Sequence, residues 1–120
     1  MPWKERLNPL DPSDPRNADW KDPQGERIRF RINVVRGQVV DFLVQYETPV
    51  SGLSTSHLPV VRFDGSHGEA HYHVLAVDGT EVRRLRLPDH LSYNDAVQLA
   101  VARIERDWQH LRSAFFGRGK

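Results

Sequence analysis

Between Arg62 and His73 the chain reads R-F-D-G-S-H-G-E-A-H-Y-H, and three of its six histidines fall there, at 67, 71 and 73. Arg62, Asp64 and Glu69 stand among them. Imidazole titrates near neutral pH and ligates metals, so this segment carries chemistry that the rest of the chain lacks. His71 and His73 are two residues apart, which on a strand turns both rings to one face, toward one ion or one substrate oxygen. Two kinds of site can be built from these groups. In one, His67, His71 and His73 exchange protons while Arg62 meets an anion and Asp64 orients a ring. In the other, His71, His73, His67 and Asp64 hold a metal ion, which needs three or four ligands at about 2 Å. A third reading is purely structural, with the histidines at a half-exposed sheet edge bonded to backbone or tyrosine hydroxyls.

A second pattern is cationic. Arg27, Arg29 and Arg31 alternate with Ile28, Phe30 and Ile32, and Arg84 and Arg86 repeat the spacing later. Such a row can follow a phosphate backbone if the strands are neighbours. It also serves as a solvated outer face that resists edge aggregation.

The elements that must position these groups are legible from periodicity. Period-two patterning predicts strands over 27–34, 39–47, 58–64, 70–77 and 80–87. Arg36-Gly37 and Asp78-Gly79 mark turns, and a longer polar loop is expected over 48–57. Val40, Phe42, Val44 and Tyr46 share one expected face. After Pro88, Ser92 and Asp95 have the spacing of a capping box. Val97, Val101, Ile104, Trp108, Leu111 and Phe115 then form a helical stripe over about 93–116. The expected fold class is therefore α+β: an antiparallel meander of about five strands packed by one long C-terminal helix. Five of the eight prolines lie in residues 1–25, which predicts an irregular, extended arm, pinned through Trp3 or Trp20. The domain proper is expected over 26–116, with a flexible tail at 117–120.

Composition narrows the classes. At 120 residues the chain makes one small domain. Its net charge of +1 is far from that of a dedicated nucleic-acid coat. The absence of cysteine excludes thiol catalysis, disulfides and cysteine-ligated zinc. No apolar run reaches membrane-spanning length, and no signal-peptide core opens the chain, so a cytoplasmic location away from membranes is expected. No Gly-rich phosphate loop, serine elbow or HExxH helix is present, and no cofactor is expected.

The stretch 39–87 resembles a group of small uncharacterised prokaryotic domains. The likeness rests on V-R-F-D-G-S-H-G at 61–68, A-H-Y-H at 70–73 and D-G at 78–79. The same order of arginine–aromatic–aspartate, histidine-bearing turn, strand and hairpin is similar to the TumE-type proteins of toxin–antitoxin modules. Residue by residue, the resemblance covers Arg62, Phe63, Asp64, His67, His71 and His73. It implies a small cytoplasmic protein acting on RNA and held by a cognate antitoxin-like partner. A metal-independent ribonuclease, a metal-binding domain and a non-catalytic module binding protein or nucleic acid are the three functions to weigh.

Overall fold

The computed structural model describes the backbone of residues 17–21, 25–50, 53–65 and 68–118, with side chains within 25–50, 56–65 and 68–118. A single antiparallel sheet runs in chain order: β1 (Asn17–Lys21), β2 (Arg27–Val35), β3 (Gln38–Val50), β4 (Leu53–Asp64), β5 (His71–Leu75) and β6 (Glu81–Arg86). Helix α1 (Tyr93–Arg118) follows and packs on β3 and β4. The expected meander and its terminal helix are thus observed, with one strand added. β1 lies inside the stretch expected to be irregular, pairing Trp20 with Ile28 and Asn17 with Arg31. It fits there because Asn17–Lys21 contains none of the arm's prolines, leaving every backbone donor available for the ladder. Residues 1–16 with Trp3, residues 22–24, the Trp20 side chain and residues 119–120 lie outside the described residues.

The loop expected over 48–57 is also corrected. β3 continues to Val50 and β4 resumes at Leu53, with Val50 paired to Leu53, so strand replaces most of that stretch. Pro49 sits beside a register shift at Pro49/Val50, where a missing backbone donor is tolerated. Arg36 and Gly37 both take positive φ, 51° and 77°, as a two-residue hairpin turn requires.

Alternation sorts each strand into two faces. Ile28, Phe30, Phe42, Val44, Tyr46, Val61, Phe63 and Tyr72 form the core with Ala96, Ala100, Ile104 and Phe115 of the helix. Phe63 and Tyr72 stack at 4.6 Å across β4 and β5. Val40, expected beside Phe42, is half exposed, since the β2–β3 hairpin continues past a register shift at Asn33/Val34. On the helix the fully buried line is Ala96, Ala100, Ile104 and Phe115, while Val97, Val101, Trp108 and Leu111 flank it, partly buried. Small alanines let the helix approach the sheet closely, which moves the stripe's centre one position from the larger residues.

The helix begins where the sequence places it. Ser92 Oγ accepts the Asp95 N–H at 3.1 Å, as an N-cap does. Two side chains of the first turn then tie the helix to the sheet. Asn94 Oδ1 accepts the Val39 N–H at 3.1 Å, and the Tyr93 hydroxyl donates to the Gly65 carbonyl at 2.9 Å.

Candidate functional site

The face of the sheet away from the helix carries both sequence patterns at once. Cross-strand register puts Arg29, Gln45, Arg62, His73 and Arg84 in one transverse row. Arg31, Leu43, Asp64, His71 and Arg86 form the next. Strands β2 and β6 are not neighbours; three strands separate them, so the two arginine rows flank the histidines instead of merging into one patch. Arg27 stands opposite Glu47 on the same face.

At the centre, the His71 and His73 rings lie 6.0 Å apart on one side of β5. His73 is held between two carboxylates. Its Nδ1 meets Glu81 Oε1, and its Nε2 lies 3.1 Å from Asp64 Oδ2 without hydrogen-bond alignment. The Glu81 carboxyl is held below the usual glutamate range, first by its hydrogen bond with His73. An ionised Glu81 accepts an Nδ1–H, and in a neutral ring that tautomer leaves the lone pair on Nε2. His71 Nε2 is 3.5 Å from Glu69 Oε2. His67 lies outside the described residues. Among the described residues no group of three or more histidine, aspartate or glutamate side chains is placed to hold a metal ion.

Arg62 is oriented from the side opposite the histidines. Its Nε donates to Gln45 Oε1 at 2.8 Å, and Gln45 Nε2 donates to Glu47 Oε2 at 2.5 Å. Glu47, only 4% exposed, is balanced by Arg27, whose Nε donates to it at 2.8 Å, and by Arg29 at 3.8 Å. Beside Arg62 a cleft of about 370 Å³ opens, lined by Arg31, Asn33, Asp41, Phe42, Leu43, Arg62 and Asp64.

The turn after Asp64 is fixed by packing. Gly65 donates its N–H to the Phe42 carbonyl at 3.1 Å, and Tyr93 rests edge-on against Phe42 at 5.2 Å. A Cβ on Gly65 would come within 2.7 Å of the Tyr93 ring.

Nothing in the sequence marks Glu81, Gln45 or Glu47 as part of a site, and for Glu81 the turn signal points the wrong way. A two-residue turn at Asp78-Gly79 would set Glu81 opposite Ala76, on the other face. The actual turn closes between Ala76 and Thr80, and a register shift at Val74/Leu75 sets Glu81 opposite Leu75, within reach of His73. Gln45 and Glu47 gain meaning only from their cross-strand partners.

These features define a small α+β domain whose open sheet face presents paired imidazoles, flanking carboxylates and an oriented guanidinium. The chain belongs to the family described as Domain of unknown function (DUF7718), which matches residues 1–119. No curated protein and no solved structure matches it. Among the described residues no helix is long and apolar enough to cross a membrane.

Proposed function

We propose that this sheet face cleaves RNA without a metal, by attack of a ribose 2′-hydroxyl on the adjacent phosphorus. The observation that carries the reading is the His71–His73 pair, 6.0 Å ring to ring and directly across from Arg62 and Asp64. In-line displacement needs a proton acceptor at the attacking oxygen and a proton donor at the leaving oxygen, on opposite sides of one phosphate. It also needs a cation against the developing charge. His73, whose Nδ1 meets Glu81 and whose Nε2 is enclosed against Asp64, takes the 2′-hydroxyl proton once its ring turns outward from Asp64, and the two carboxylates balance the imidazolium that forms. The 2′-O–P bond forms, the P–O5′ bond breaks, and His71 gives its proton to the departing 5′-oxygen. Arg62 holds the non-bridging oxygens. The products are a 2′,3′-cyclic phosphate and a 5′-hydroxyl.

The likeness to TumE-type toxins supports a cytoplasmic, growth-inhibiting protein held by a cognate partner on the same reading. A second reading, a nucleic-acid-binding face without catalysis, draws on the arginine rows either side of the histidines. Incubation of the purified protein with RNA, with and without chelator, separates the two. Cleavage that survives chelation, leaves cyclic phosphate ends and falls about 10²–10⁴-fold in His71→Ala or His73→Ala supports catalysis. Binding without cleavage, or cleavage unchanged in the double variant, overturns it.

A further inference from the structure

We infer that the cleft between Arg31 and Arg62 is a subsite for a second phosphate of the bound strand, next to the one that Arg62 serves. This inference rests on the phosphodiester reading for its ligand, but its geometry is separate from the histidines. Six arginines stand on the open face: Arg27, Arg29, Arg31, Arg62, Arg84 and Arg86. Four of them already face carboxylates. Arg27 and Arg29 share Glu47, Arg84 faces Glu81, and Arg86 faces Glu69 and Asp89. Arg31 and Arg62 have no carboxylate within ion-pair distance among the described residues, and they line the same cleft.

The cleft also holds Asp41 and Asp64, but neither lies within ion-pair distance of Arg31 or Arg62, and each carboxylate has another neighbour. Asp41 Oδ1 accepts the Phe42 N–H at 2.9 Å, and Asp64 Oδ2 lies 3.1 Å from His73 Nε2. Gln45 occupies only the Nε of Arg62, so the paired Nη edge remains for the fork geometry that phosphate accepts. Arg31 stands two strands away, about 10 Å across the sheet. A volume of about 370 Å³ exceeds one phosphate group and leaves room for the attached ribose. A strand whose scissile phosphate lies at Arg62 therefore extends over the cleft toward β2, with its neighbouring phosphate on Arg31. The ion-paired arginines contribute background field and little contact.

The test is equilibrium binding of a 2′-O-methyl pentanucleotide, which offers the phosphates but no attacking hydroxyl, so the outcome is independent of cleavage. Arg31→Ala should weaken binding several-fold and lower the salt slope by about one. Arg84→Ala, on the same face but ion-paired, should change it less than twofold. Inorganic phosphate alone should shift the NMR signals of the Arg31 and Arg62 side chains. If it binds as tightly as the pentanucleotide, the site takes a free phosphate and not a strand, and the inference is overturned. Equal effects of Arg31→Ala and Arg84→Ala also overturn it, leaving only face-wide electrostatics. If Arg31 governs binding yet the wild-type protein cleaves no RNA, the subsite stands and the catalytic reading falls.

Discussion

Replacing Gly65 with alanine puts the link between helix and site under a defined load. The new Cβ would lie 2.7 and 2.9 Å from two Tyr93 ring carbons and 3.2 Å from a Phe42 ring carbon. Phe42 is 3% exposed and cannot retreat, so the tyrosine ring must swing outward. That movement loses the hydroxyl bond to the Gly65 carbonyl, worth about 1 kcal/mol net. It also loses the edge-on contact with Phe42, worth about 0.5–1.5 kcal/mol. Residual crowding adds to this, since overpacking a filled site typically costs about 1–3 kcal/mol. Because outward rotation relieves part of the crowding, the expected loss is about 2–3 kcal/mol. Urea denaturation followed by circular dichroism measures it. The decisive comparison is a double-mutant cycle with Tyr93→Ala, which empties the space that the methyl would enter. In that background Gly65→Ala should cost about 0.5 kcal/mol or less. An undiminished cost beside an absent tyrosine would refute the steric argument and leave backbone conformation as the cause.

Two further perturbations follow from burial. Phe115 is fully buried and Trp108 only partly so. Phe115→Ala should therefore cost about 3–5 kcal/mol and Trp108→Ala roughly half as much, and a denaturant series that ranks them the other way would contradict the packing. Tyr46 is fully buried with its hydroxyl donating to Glu26 Oε1 at 2.5 Å, and burial pushes its phenol well above the ordinary value of 10. A raised folded-state value stabilises fully below the unfolded value and loses that contribution as pH rises above it. Stability should thus fall from about pH 10 upward, with phenolate absorbance from Tyr46 gained only on unfolding. Tyr46→Phe should flatten that alkaline decline while costing about 1–3 kcal/mol at neutral pH, because Glu26 loses its buried donor.

Periodicity made most of the scaffold readable, and register made the rest unreadable. Ile28 and Phe30 alternate with arginine, and Phe42, Val44 and Tyr46 with polar residues, so the buried face was visible before any pairing was known. The Ser92–Asp95 cap and the Arg36-Gly37 turn are local, within four residues, and local chemistry is what a sequence states directly. β1 was hidden because five residues after a proline-rich stretch carry no pattern long enough to measure. Glu81 was hidden by a single-residue register shift, which moves a side chain from one face to the other. The histidine pair was legible since its two members share one strand. The support of Arg62 was not, since Gln45 and Glu47 lie on a different strand and look like ordinary solvent-facing polar residues.

That support bears on why the open face is built as it is. Glu47 and Gln45 are 4% and 7% exposed on the side of the sheet that the helix does not cover. Enclosing a carboxylate there carries a desolvation cost that guanidinium partners offset only in part. Surface strands of this kind are ordinarily served just as well by residues that stay in water. What the arrangement adds is direction. Glu47 accepts from the Gln45 amide nitrogen, which fixes the amide so that its oxygen can only receive, and the group it receives from is Arg62. A guanidinium held at one nitrogen by a fixed acceptor cannot rotate freely, and Arg62 so held lines the cleft. A solvated arginine would have to be ordered by each ligand it met. On the phosphodiester reading proposed above, one anchored through Gln45 would meet its phosphate with that ordering already done, which would raise affinity for a flexible anion without adding charge.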